Sequence, residues 1–244
     1  MRAYAIGDIH GQLDMLHAAH ARVAADRARV GDEDSPLVHL GDLTDRGPDS
    51  RGVLDHLIDG HAAGRPWVTI KGNHDRMFEM FLRDPQEHDP VLRPDLTWSH
   101  PRLGGNTTLA SYGIQSPETR SDADLHAEAR RVVPPAHAAF LAGLPLFHEA
   151  AGALFVHAGI RPGVPLADQA EDDLLWIRKE FHDDPRDHGM LIVHGHTPVD
   201  VPTHFGNRVD LDTGAAYGRF LTAAVIEDGQ VWTLDDDGRE PLTP

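Results

Sequence analysis

Five short apolar runs, each ending at an Asp, Asn or His beside a small residue, restrict this chain more than any other feature. The runs are 3–6 (AYAI), 36–40 (PLVHL), 66–70 (PWVTI), 153–157 (ALFVH) and 190–193 (MLIV). Each is too short for a helix and most are rich in β-branched or aromatic residues, so each predicts a buried strand. Between the first three, 12–29 carries Leu13, Leu16, Ala19 and Val23 at helical spacing, and 49–62 carries Val53, Leu54, Leu57 and Ile58. Strand and helix in alternation predict an α/β sheet with covered faces. Such sheets take their ligands in the crevice beyond the carboxyl ends of the strands, which is where the polar clusters fall.

The C-terminal part reads differently. Segments 199–204, 207–212, 219–226 and 230–235 are separated by Gly- and Asn-containing turns such as Phe205-Gly206-Asn207 and Asp228-Gly229, and they predict an antiparallel meander. Residues 84–136 are rich in Pro, Asp, His and Arg and lack strand patterning, although 122–132 and 134–142 suit short helices. This stretch reads as a cap-like insertion over one sheet edge, with a plain surface excursion as the alternative. The expectation is a single domain over 1–244 carrying that insertion.

Composition excludes several function classes. Lys and Arg number 22 against 39 Asp and Glu, a formal charge of −17, which repels nucleic acid phosphates. Apolar residues make up 40% with no window of ~18 consecutive apolar residues, so no membrane association is expected. The chain starts in the strand-like MRAYAIGD without a charged n-region and apolar h-region, which favours the cytoplasm. With no Cys, there is no thiol nucleophile and any metal must sit on N and O ligands.

The clusters themselves carry the chemistry. Gly7-Asp8-Ile9-His10-Gly11 follows the first run, and period-two alternation puts Asp8 and His10 on one face with Ile9 in the core. Gly41-Asp42-Leu43-Thr44-Asp45-Arg46-Gly47-Pro48 follows the second, with a helix start at Pro48 and Asp49. Lys71-Gly72-Asn73-His74-Asp75, Val156-His157-Ala158-Gly159 and Val193-His194-Gly195-His196-Thr197-Pro198 end the other three. Taken singly, each has an ordinary explanation: a capping Asp, an Asn in a turn, a His at a core edge. Their repetition at five strand ends does not. Asp8, His10, Asp42, Asn73, His157 and His196 are too many donors for one tetrahedral site and suit two cations sharing a carboxylate. Two such ions, ~3.5–4 Å apart, can hold a hydroxide and neutralise a phosphoryl group during in-line displacement, which predicts phosphate-ester hydrolysis.

GDIHG at 7–11, GDLTDRG at 41–47, GNHD at 72–75, HAG at 157–159, GHT at 195–197 and LDTGAAYG at 211–218 resemble the calcineurin-like metallophosphoesterases. Within that family the chain is similar to the phosphoprotein-phosphatase branch with its bacterial and phage members. The resemblance implies an α/β fold in which a β-sandwich is flanked by helices (αββα layers), with the active site at the strand C-terminal ends. It implies one metal on Asp8, His10 and Asp42 and a second on Asp42, Asn73, His157 and His196, with Asp42 bridging. His74 would protonate the leaving oxygen, held by Asp45, whose negative charge would keep the imidazole protonated. Arg46 and Arg178 would grip the phosphate, although Arg178 also suits the surface of an amphipathic helix. The implied cofactors are two divalent transition-metal ions, Mn²⁺ first, with Fe, Zn or Ni as alternatives.

Two departures from the family pattern stand out: Asp75 where many relatives have Glu, and Pro198 where distant members carry a further His. His194 is a candidate for supporting the site or touching substrate, and His17, His20, His56 and His61, on helix patterns, are expected to be solvated. The leading function is a metal-dependent phosphomonoesterase acting on phosphoserine or phosphothreonine in proteins. Asp45 within DRG favours it, because relatives that cleave symmetrical dinucleoside tetraphosphates tend to alter that residue. The alternatives are a hydrolase of dinucleoside polyphosphates or other small phosphate esters, and a non-catalytic phosphate-binding module, which would have no use for a paired His74 and Asp45.

Overall fold

A computed structural model describes residues 1–244. In β1 (Arg2–Ile6) alternate side chains enter different layers: Tyr4 and Ile6 pack among helices, Ala3 and Ala5 between two sheets. Helix α1 (Leu13–Val30) follows and stops at Gly31, whose left-handed backbone (φ 66°) costs glycine little. After β2 (Leu37–His39), helix α2 (Ser50–Ala62) starts at Asp49, whose side chain accepts the Gly52 N–H at 2.8 Å, in line with the sequence reading. β3 (Trp67–Thr69) runs into α3 (Asn73–Arg83), a helix to which the sequence reading assigned no element.

The 84–136 stretch holds α4 (Gly105–Ser111) and α5 (Asp122–Val132), and α6 (Pro135–Gly143) comes next. The patterns at 122–132 and 134–142 foreshadow α5 and α6. Gly, Asn and Thr, all weak helix formers, hide α4. Trp98, Leu109, Tyr112 and Leu125 are buried in the same apolar cluster as Leu16, Leu54 and Phe78, so the stretch shares the core of α1–α3.

β4 (Phe147–Ala150), β5 (Ala153–Val156), helices α7 (Glu171–Trp176) and α8 (Lys179–His182), then β6 (Leu191–His194), β7 (Thr203–His204) and β8 (Arg208–Asp210) follow. The chain ends with β9 (Ala223–Glu227), β10 (Gln230–Asp235) and β11 (Gly238–Pro241). One sheet runs β11-β10-β9-β1-β2-β3, the other β4-β5-β6-β8-β7. The single meander expected at the C-terminus is therefore divided. β8 pairs parallel with β6 and antiparallel with β7, whereas β9 crosses to pair antiparallel with β1. Turn signals predict neighbouring strands, but a β-sandwich offers two sheets to join, and the burial of Val209 and Ile226 between them decides the partners.

Phe155, Val193, Val38 and Leu40 also fill the space between the sheets. Leu154, Val156 and Ile192 face the other way, onto Leu174 and Phe181 of α7 and α8. The layers are αββα. No helix is long and apolar enough to cross a membrane.

Of the helix histidines expected in solvent, His17 is exposed, but His20, His56 and His61 are partly buried in the layer between helices and sheet. His20 Nδ1 meets His56 Nε2 at 2.9 Å, His20 Nε2 meets His39 Nε2 at 2.8 Å, and Thr69 Oγ1 lies 3.2 Å from His39 Nδ1 and 3.0 Å from His61 Nε2. Imidazoles can partner one another, which a helical period cannot reveal.

Candidate metal centre

The five polar clusters meet because their loops are bonded to one another. Ile9 and His10 both donate their N–H to the Asp42 carbonyl, at 3.1 and 2.7 Å, and Gly11 donates to Leu43. Asp8 and His10 thus lie beyond the end of β1, brought together by a turn at His10 (φ 46°) where a pleat was expected. His10, Asp42, Asp45, Arg46 and His196 take five of the eight left-handed positions held by residues other than glycine. Each costs roughly 1–3 kcal/mol and persists only where the surroundings over-determine it, as at functional sites. Asp75 Oδ1 accepts from Leu43 N and Oδ2 from Gly72 N, both at 2.9 Å, tying the second loop to the third. A Cβ on Gly72 would stand 2.2 Å from Asp42 Oδ1, and one on Gly195 would stand 2.0 Å from Asp8 Oδ1. Only glycine lets these backbones approach the two carboxylates.

Two tight donor groups share one residue: His10, Asp42 and His74, and Asp42, His157 and His196, all buried. Proton positions test whether they fit cations. His157 Nδ1 lies 2.9 Å from the Leu40 carbonyl and His10 Nδ1 2.8 Å from that of Thr44. A carbonyl only accepts, so each Nδ1 carries its proton and each neutral ring presents a lone pair at Nε2. His196 Nε2 accepts from Arg178 Nε at 3.1 Å, so its Nδ1–H donates to Asn73 Oδ1 at 2.9 Å and fixes the amide orientation; His196 would bind a cation by giving up one of these two bonds. The His157 Nε2 lone pair therefore faces Asn73 Oδ1 at 2.9 Å and Asp42 Oδ1 at 3.3 Å, while His10 Nε2 faces Asp42 Oδ2 at 3.3 Å. Around His157 the lone pairs converge without an intervening hydrogen, which suits a cation, while at His10 Nε2 the Arg46 guanidinium supplies a donor. Asp8 stands outside both tight groups; its Oδ2 accepts from His196 N, and its buried Oδ1 has no hydrogen-bond partner. The set of N and O donors with no thiolate fits divalent Mn, Fe, Zn or Ni.

Burial governs the titrations. It raises the Asp42 carboxyl, but His157, His74 and His10 overcome that and hold it well below the usual carboxylate range. Burial raises Asp8 well above that range, and Asp212 and Asp42 add to the rise. His74 Nδ1 and Asp45 Oδ2 are 2.7 Å apart. Burial pushes Asp45 up to about 7, against hydrogen bonds from Thr108 Oγ1 at 2.7 Å and Trp98 Nε1 at 2.9 Å, and the same loss of water pushes His74 down. Burial therefore works against the ion pair expected from sequence and favours two neutral partners. While Asp45 keeps its proton the pair still holds two, one between Oδ2 and Nδ1 and one on Nε2.

Both arginines point into the cluster from different sides. Arg46 Nη1 donates to His10 Nε2 at 2.9 Å, and Arg178 Nε donates to His196. Arg178 lies between α7 and α8 with φ −136°, off the helical face that was its plainer explanation. His194 is fully buried, accepting from Arg208 Nη1 at 3.0 Å and donating from Nδ1 to the Gly195 carbonyl at 3.0 Å, which makes it a support for the loop rather than an exposed contact. Sequence reasoning missed Trp98, Thr108 and Asp212. The first two lie 53 and 63 residues from Asp45 in a stretch without strand pattern, so no spacing marks them. Asp212, buried beside Asp8, follows β8 just as the candidate ligands follow their strands, and its position in LDTG was the available signal.

The profile of the calcineurin-like phosphoesterases matches residues 1–225. The bis(5'-nucleosyl)-tetraphosphatase PrpE (asymmetrical) of Anoxybacillus flavithermus is 29% identical over 226 residues, covering 89% of this chain and 87% of its own. The protein of that name from Bacillus velezensis is 29% identical over 235 residues, covering 89% and 86%. Among solved structures, the cold-active protein-tyrosine phosphatase of a psychrophilic Shewanella aligns with a TM-score of 0.59 at 16% identity over 99% of this chain and 80% of that one, a likeness of fold. With the match running from the first strand into β9, the chain belongs to the calcineurin-like phosphoesterases and is a metal-dependent phosphoric ester hydrolase.

Proposed function

We propose that the chain hydrolyses dinucleoside polyphosphates, with Asp8, His10 and Asp42 at one cation and Asp42, Asn73, His157 and His196 at the other. The observation that carries this reading is the pair of guanidiniums, Arg46 beside His10 and Arg178 beside His196. Two planar forks, one at a histidine of each proposed cation, offer donors to more than one phosphoryl group of a polyphosphate. The names of the full-length relatives support it further. A pair of divalent cations, when bound, acidifies water and neutralises charge on the phosphoryl oxygens.

The protein's own groups do the rest. Arg46 and Arg178 turn from the histidine nitrogens onto phosphate oxygens, and His74 gives its Nε2 proton to the leaving oxygen while Asp45 holds Nδ1. Trp98 and Thr108, both bonded to Asp45, keep that carboxyl aimed at His74. The chain acts as one domain, with 84–136 as a cap that supplies those two residues.

The phosphoprotein reading rests on the intact Asp45–His74 pair, since a serine alkoxide needs a proton more than a polyphosphate leaving group does. The two readings separate in one panel: kcat/KM for diadenosine tetraphosphate, mononucleotides and a phosphoserine peptide with Mn²⁺. Preference for the dinucleotide is expected, and preference for the peptide overturns the proposal. In the same panel His74→Asn should lower kcat by roughly 10²–10⁴-fold on the peptide and by less on the dinucleotide, with metal content kept. An equal loss on both removes the leaving-group argument.

A further inference from the structure

Tyr217 is a large aromatic residue kept in water, 63% exposed, where the fold gains nothing from it. It is not on a loose loop. Residues 215–217 form one 3-10 turn between Gly214 (φ 79°) and Gly218 (φ 76°). Asp212 Oδ1 accepts the Gly214 N–H at 2.9 Å, Gln12 Nε2 donates to the Ala215 carbonyl at 3.1 Å, and Ala215 is buried. The turn is thus pinned to the strand-end loops on both sides, which fixes the backbone that carries the ring before any ligand arrives. Its neighbour is the Arg46 guanidinium, 5.5 Å from the ring centroid. Trp176 sits on the other flank, but its Nε1 donates to Asp89 at 3.3 Å and its edge meets His196, so it is part of the wall.

We infer that Tyr217 is a stacking platform for the nucleobase attached to the phosphate held by Arg46, and so determines specificity for nucleotide esters. This deepens the dinucleotide reading and rests on it. In a nucleotide a single ribose joins base to phosphate, so a ring beside the phosphate-gripping guanidinium is within reach of the base. Each base offers a flat π face, and a rigid exposed tyrosine gains contact area on stacking at small entropic cost. A phosphoserine peptide presents no such plane one linkage from its phosphate.

The test uses the Mn²⁺-loaded protein and two inhibitors of p-nitrophenyl phosphate hydrolysis: AMP, and ribose 5-phosphate, which lacks only the base. The expected ratio of inhibition constants is about tenfold in favour of AMP, retained by Tyr217→Phe and reduced to about one by Tyr217→Ala. A wild-type ratio near one overturns the platform, as does a ratio that survives Tyr217→Ala. If Tyr217→Ala weakens both inhibitors at constant ratio, the ring only positions Arg46 and the proposal also falls. These ratios are read whichever ester the enzyme prefers, so a phosphopeptide preference in the substrate panel defeats the dinucleotide reading without deciding the stacking experiment.

Discussion

Histidines gather in two places in this molecule, and the two clusters are built from different partners. At the strand ends, His10, His74, His157 and His196 surround Asp42, and lone pairs of N and O face one another. Between the helices and the first sheet, His56, His20, His39 and His61 are joined through each other and through Thr69, with no carboxylate between them. Each short contact in the second set can be satisfied by one hydrogen, because an imidazole and a hydroxyl both donate and accept. In the first set, Asp42 and the Asn73 oxygen only accept and His157 meets both through a lone pair, so a hydrogen is missing there and a cation fits. The two sets hold equal numbers of histidines, fully buried in the first and, His39 apart, half-buried in the second. The chemistry of the remaining partners separates a candidate metal centre from a core network.

Removing the shared acceptor tests that distinction most severely. Asp42→Asn should take metal content from about two ions per chain to below one and activity down by more than about 10²-fold, beyond the range for merely supporting groups. Elemental analysis after reconstitution with Mn²⁺ measures the first. Full metal content in this variant would mean that Asp42 is no hub.

The mirror experiment is His20→Ala. It leaves Nε2 of the fully buried His39 without its partner and takes a ring from the face of Trp67, 4.4 Å away. A loss of about 1–3 kcal/mol is expected from the stranded polar group, read by urea unfolding, with metal content at the wild-type value. Loss of metal at full stability would reverse the assignment of the two clusters.

Acid should act on the second cluster more gently. Burial lowers His20 to about 3 and also lowers His39, His56 and His61, and neighbouring imidazoles add to this for His20, His39 and His56. With folded values below the ordinary 6.5, the unfolded chain takes up protons first. Their contribution is complete above pH 6.5 and declines as pH falls, by at most about 1.4 kcal/mol per pH unit for each group. The buried Asp8, Asp75 and Asp210, all raised by burial, contribute with the opposite sign. The useful measurement is therefore the difference between wild type and His20→Phe, with chelator present, from pH 7 to 5. The variant should lose less stability than wild type, and identical slopes would detach His20 from the acid response.

The same contrast shows how much was legible in the linear chain. Asp8, Asp42, Asn73, His157 and His196 could be read because each follows an apolar run, and a strand that ends in a loop delivers its next residues to the sheet edge. His20 and His39 could not: one sits on a helical period and the other inside a strand, and neither pattern says that α1 lies across β2. Trp98 and Thr108 were illegible for a similar reason, since nothing near them in sequence points to Asp45.

What the sequence determined by itself is local: strand and helix periods, cap and turn residues, and donor types at the five strand ends, all set by interactions within a few residues. Which strands share a sheet, which tautomers the histidines adopt, that Asp45 and His74 are pressed toward neutrality, and that Tyr217 stands beside Arg46 were decided only in the folded state. Those outcomes depend on excluded water and on partners distant along the chain, and neither exists before the layers pack.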